Sequence, residues 1–133
     1  MKKQAKSLPD TNTIIRYLMG DDAALFGKAK SFFDEVKSGN VKAVILESVI
    51  AECIYVLTRI YKVPRHKAAG SIIDILRYKG IANSDREELI NALTLFSDNK
   101  LDIVDCILAA KTMAGGDTLF SFDNELNNLT RRA

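Results

Sequence analysis

From residue 11 to residue 113 the apolar side chains of this sequence recur at helical spacing in one segment after another, and only brief β-branched or aromatic runs stand between them. Such a chain has several helical stripes to bury at once. In TNTIIRYL the stripe is Ile14, Ile15, Leu18 and Met19, and Gly20 stops it. Residues 23–36 place Leu25, Phe26, Ala29, Phe32, Phe33 and Val36 on a second stripe, closed by Ser38, Gly39 and Asn40. Ser48 stands where it can cap a long helix reaching Tyr61, with Ile50, Cys53, Ile54, Leu57 and Ile60 inward. Pro64 opens a fourth helix, with Ala69, Ile72, Ile73 and Leu76 inward and Gly80 at its end. Ser84 and Glu87 have capping-box spacing for a fifth, which carries Leu89, Leu93 and Phe96. A sixth covers residues 101–113 and stops at Gly115 and Gly116.

The runs between these helices read as short strands: one ending near Leu8, then VKAVIL, then residues 81–83, then TLFSF. NELNNLTRRA follows as a turn or helix. Short strands separated by longer helices predict an α/β fold, with a short, largely parallel central sheet flanked by helices. At 133 residues and 47% hydrophobic, with neither a repeat nor a Pro/Gly-rich linker, the expectation is one domain over residues 1–133. In such sheets function gathers at the carboxyl ends of the strands.

Bulk charge says little about partners, because 19 basic residues against 17 acidic ones leave a net charge of only +2. Lys2, Lys3 and Lys6 are available to a phosphate backbone, but a solvated terminus accounts for them better. The first residues lack the apolar core of a secretory leader, and no run reaches the ~18 apolar residues of a membrane span. A cytoplasmic protein without membrane association is therefore expected. Cys53 and Cys106 lie in apolar helical runs without CxxC spacing and read as packing residues.

Four acids occupy positions where a solvated surface carboxylate is not expected. Asp10 follows the first strand and opens a helix, where it can cap backbone N–H groups or hold a cation. Glu52 borders an apolar helical face between Val49 and Val56, and a salt bridge to Arg59 is its alternative explanation. Asp105 interrupts the apolar run IVDCILAA, with Asp102 one turn earlier. Asp102 can join a metal site or simply cap that helix. Asp123 ends TLFSF on the same side as Ser121, and a turn is its simplest alternative. Four carboxylates brought together raise one another's pKa, and a hard divalent cation removes that penalty. Mg2+ or Mn2+ suits an all-oxygen set, since His66 is the only histidine and no His/Cys cluster suggests zinc.

The segments LPDTNTIIRYL, ESVIAECIYVL, LDIVDCILAA and TLFSFDNEL resemble, in order and approximate spacing, the four acidic motifs of PIN-domain nucleases. Within that family the chain is most similar to the VapC-type toxins of toxin–antitoxin pairs. The resemblance implies that Asp10, Glu52, Asp105 and Asp123 are catalytic and metal-binding, that Asp102 is a candidate further ligand, and that Thr11, Asn12 and Ser121 assist. It implies a metal-dependent endoribonuclease that acts on RNA, forms a homodimer and is blocked by a cognate antitoxin. Arg16, Arg65 and Lys67, with Lys62, Lys100 and Lys111, are the candidate RNA contacts. Ten residues follow Asp123 where family members usually add a strand, so a shorter sheet or a partner-supplied edge is expected. Three other readings compete: an RNA-processing nuclease outside a toxin–antitoxin pair, a non-catalytic PIN-like binding module, and a phospho-accepting receiver domain. The last fits less well, because receiver folds place paired acids beyond the first strand, whereas Asp10 is followed by Thr11 and Asn12.

Overall fold

Helices dominate because each predicted stripe finds a partner. The computed structural model describes residues 5–131, so Lys2 and Lys3 lie outside the described residues. The helices are α1 (Thr11–Met19), α2 (Ala23–Ser38), α3 (Glu47–Tyr55), α4 (Arg65–Leu76), α5 (Arg86–Asp98), α6 (Ile103–Gly115) and α7 (Asn124–Arg131). Phe33, Val36, Ile45, Ile54, Leu57, Ile72, Leu76, Leu89 and Leu93 are fully buried in one apolar cluster that also takes in Ile14 of α1 and Leu126 of α7. Helix α5 packs on α4 and α6, α1 on α2 and α3, and α6 on α3 and α7.

The expected central sheet is reduced, among the described residues, to two isolated parallel bridges, Ser7 with Ala43 and Ala43 with Ile81. Its parallel sense holds, but its length does not. Ser7 N–H donates to the Lys42 carbonyl (2.8 Å) and Val44 N–H to that of Ser7 (2.9 Å), while Ala43 N–H donates to Gly80 (2.9 Å) and Ala82 N–H to Ala43 (2.8 Å). Beyond that rung two local features end the pairing. Pro9 has no N–H to donate. The Asn83 amide takes both backbone groups of Ile45, accepting from its N–H (2.9 Å) and donating to its carbonyl (2.8 Å), in place of a further backbone segment. TLFSF is not a strand among the described residues: residues 117–122 join no bridge, and Phe120 and Phe122 are 86% and 92% exposed.

Several boundaries shift for physical reasons. Leu46, not Ser48, precedes α3 and makes no side-chain cap. Ser84 lies in a turn outside α5, whose N-cap is Asp85, so the capping box does not form. After Tyr55 the α-helix widens into a π-helical turn, Val56–Ile60, closed by Tyr61 N–H to the Val56 carbonyl (3.1 Å). The wider turn carries Ile60 off the inward stripe, leaving it 65% exposed. Gly80 is not a helix end, since α4 stops at Leu76. It is required for close approach: a Cβ there would collide with the Val41 carbonyl and stand 2.6 Å from that of Val36.

Candidate active site

Two of the candidate acids are helix caps, and capping orients them. At the N-cap of α1, Asp10 Oδ1 accepts from Thr13 N–H (2.9 Å) and Thr13 Oγ1 (2.8 Å). These bonds favour the carboxylate and hold Asp10 below the usual aspartate range. Asp123 Oδ1 accepts from Leu126 N–H (2.9 Å) at the start of α7, and Asp123 N–H donates to Ser121 Oγ (3.0 Å). The Ser121 carbonyl in turn accepts from Asn127 Nδ2 (2.8 Å), which ties the segment to α7. In both acids the hydrogen bonds fall on Oδ1, and Oδ2 remains available to a ligand. Asp102 is also an N-cap, of α6, but its exposed side chain makes no cap bond.

Glu52 is exposed on α3. It does not pair with Arg59, whose guanidinium lies over the Tyr55 ring 5.7 Å from its centroid. Asp10, Thr11 and Glu52 meet around Cys53. Burial pushes that thiol up to about 12, the Glu52 and Asp10 charges add to the rise, and the Thr11 hydroxyl opposes it. Asn12 is exposed in the first turn of α1. On α6, Asp105 is half-buried, and its pKa is raised first by burial and then by the charges of Asp102 and Asp123.

The charges of Asp10 and Glu52 thus both act on Cys53 of α3, and those of Asp102 and Asp123 both act on Asp105 of α6. The packing of α3 on α6 joins the helices that carry them. Among the described residues none of these five is in an ion pair, whereas Asp21, Asp34, Glu47 and Asp85 each hold a cationic partner, Arg16, Lys30 or Lys111, within 3.1 Å. The donor set, all carboxylate oxygen, fits a hard divalent cation by its chemistry. As placed, no three of the described His, Cys, Asp or Glu side chains surround a single point closely enough to hold an ion.

Of the candidate RNA contacts, Arg65 is committed to the fold. Its Nη2 donates to the carbonyls of Phe96 (2.9 Å), Asn99 (2.8 Å) and Leu101 (2.6 Å), its Nε also reaches Phe96 (3.2 Å), and its guanidinium stacks 3.6 Å from the Phe96 ring centroid. The sequence held one sign of this. A cation in the first turn of α4 opposes the helix dipole, so something else must hold it. Lys111 bridges Glu47 and Asp85 at 3.1 Å each, and Arg16 pairs with Asp21 at 3.0 Å. Lys62, Lys67 and Lys100 are exposed. Periodicity gave no sign of the π-helical turn, nor of a cavity of about 280 Å³ beside it, bordered by Tyr55, Arg59 and Asp102.

Among the described residues no helix is long and apolar enough to cross a membrane. A family model described as PIN domain matches residues 7–132. No curated protein and no solved structure matches the chain.

Proposed function

The chain belongs to the PIN domain family, generally one of nucleases, and on that premise we propose that it is a Mg2+- or Mn2+-dependent endoribonuclease, the cytoplasmic toxin of a VapBC-type pair. The observation that carries the reading is Asp105: a half-buried carboxylate on which the charges of two further acids, Asp102 and Asp123, act, with no ion pair to any of the three among the described residues. A fold gains nothing from such an arrangement unless a cation completes it.

Asp10, Glu52, Asp105 and Asp123 would hold the cation, with Asp102 as a further carboxylate at the rim. When bound it supplies Lewis-acid stabilisation of the scissile phosphate and a water acidic enough to attack. The chain's own contribution is positioning. The Thr13 bonds fix the Asp10 carboxylate, and the Leu126 bond with the Ser121–Asn127 tie fixes Asp123, so neither has to be ordered when substrate arrives. A homodimer and a cognate antitoxin belong to the same reading. Ile60 and Leu108 are exposed, apolar surface of the kind a protein partner covers.

The deciding experiment incubates the purified chain with a mixed structured RNA pool, and in parallel with DNA, with and without Mg2+ or Mn2+. Asp10→Asn and Asp105→Asn, shown to be folded by circular dichroism, serve as controls. Metal-dependent RNA cutting lost in both variants is the expected result. Cutting that both variants retain, or that persists in chelator, would defeat the proposal. Growth arrest on induction of the wild type but not of Asp105→Asn tests the toxin assignment.

A further inference from the structure

The cavity of about 280 Å³ lies between α3 with its π-helical turn, α4, and the first residues of α6. It is smaller than a typical drug-sized pocket and suits one base with its sugar. Three of its walls are chemically distinct. Tyr55 is 57% exposed and outside the apolar core, with a phenol that makes no hydrogen bond among the described residues. Arg59 stands over one face of that ring at 5.7 Å and belongs to no ion pair among the described residues, so its guanidinium can pair with an anion while a base would stack on the ring's other face. Asp102 also lines the cavity, and its charge acts on Asp105. Arg65 and Phe96 also line it, and Arg65 lies on Phe96 and binds three carbonyls of the chain leading into Asp102. The wider π turn brings Thr58 and Arg59 to the cavity on the chain that follows Tyr55.

We propose that this cavity is a nucleotide subsite of the nuclease, where a residue flanking the scissile phosphate stacks its base on Tyr55, pairs its phosphate with Arg59 and turns an N–H of its base edge to Asp102. An aromatic face accepts any base, a guanidinium matches phosphate geometry, and a carboxylate repels phosphate while accepting an amino or imino N–H. The three walls thus set the direction in which RNA lies across the acids. The inference rests on the nuclease reading and deepens it.

The chain contains no tryptophan, so Tyr55→Trp introduces a single fluorophore at the stacking face. In an Asp105→Asn background, titration with unstructured oligoribonucleotides should quench it, and adding Arg59→Gln should weaken the apparent Kd about tenfold. With Asp105 intact, Tyr55→Leu should raise KM about tenfold with kcat much less affected, and Tyr55→Phe should restore it. Wild-type cleavage without quenching, and with KM unchanged in Tyr55→Leu, would overturn the subsite while leaving the nuclease standing. Quenching without wild-type cleavage would support the subsite and defeat the nuclease reading. A fluorescence change that follows protein concentration rather than RNA, with Tyr55→Glu converting a dimer to a monomer in sedimentation, would assign the face to a second copy of the chain and overturn the subsite.

Discussion

Asp10 carries two roles that substitution can separate. Asn caps a helix about as well as Asp, whereas Ala does not. Asp10→Asn should keep the Thr13 bonds and the urea midpoint while losing cleavage, and Asp10→Ala should lose both, at a cost of about 1 kcal/mol in stability. Equal stability of the two variants would show that the cap contributes nothing. Asp105 is the opposite case. Its folded pKa is raised above 3.8, so the folded chain binds that proton more tightly than the unfolded one. Stability from this group therefore falls as pH rises from the unfolded value through the folded one, and stays lowered at neutral pH. Asp105→Asn should be slightly more stable than wild type near neutrality, by at most about 0.5 kcal/mol, with the gain vanishing on acidification below the carboxylate range. Urea midpoints across pH would check this; a variant less stable than wild type at neutral pH would sink it.

Helices were legible in the sequence because each leaves an apolar stripe and a stop, and the left-handed Gly20, Gly39 and Gly116 close α1, α2 and α6. Strands were poorly legible: VKAVIL shows a strand's composition, yet it pairs only through Ala43, because pairing depends on distant groups such as the Asn83 amide. The candidate acids could be picked out as misplaced charges, but which of them are brought near one another is a matter of helix packing that no local pattern encodes. The structural role of Arg65 was not legible for the same reason, since its three carbonyl partners lie 31 to 36 residues away. That clamp fixes the α5–α6 connection to α4. Arg65→Lys keeps the charge but loses the planar fork and the stacking on Phe96, and should cost about 2–4 kcal/mol in urea denaturation. It should also weaken cleavage, because residues 99–101 lead directly into Asp102. A loss below about 0.5 kcal/mol would mean that solvent replaces the guanidinium without penalty.

At the scale of the whole molecule, Cys53 on α3 and Cys106 on α6 report on whether the helices unfold together. Both are free and buried, and burial leads the rise of their pKa values to about 12 and about 11. The reactive species is the thiolate, so at about pH 8 the folded chain should leave a thiol reagent almost untouched, and labelling must pass through an opened state. The two cysteines belong to a single apolar cluster to which α1 through α7 all contribute side chains. Opening either thiol therefore exposes packing shared with the other, and the two should become reactive over one urea transition that coincides with loss of helical circular dichroism. The sheet is too short to hold one part of the chain together after the helices separate, because its backbone pairing among the described residues amounts to two bridges. Labelling of Cys106 before Cys53, ahead of the circular dichroism transition, would instead identify α6 and its acids as a separately opening unit, and the acid-bearing surface would then be dynamic rather than preorganised.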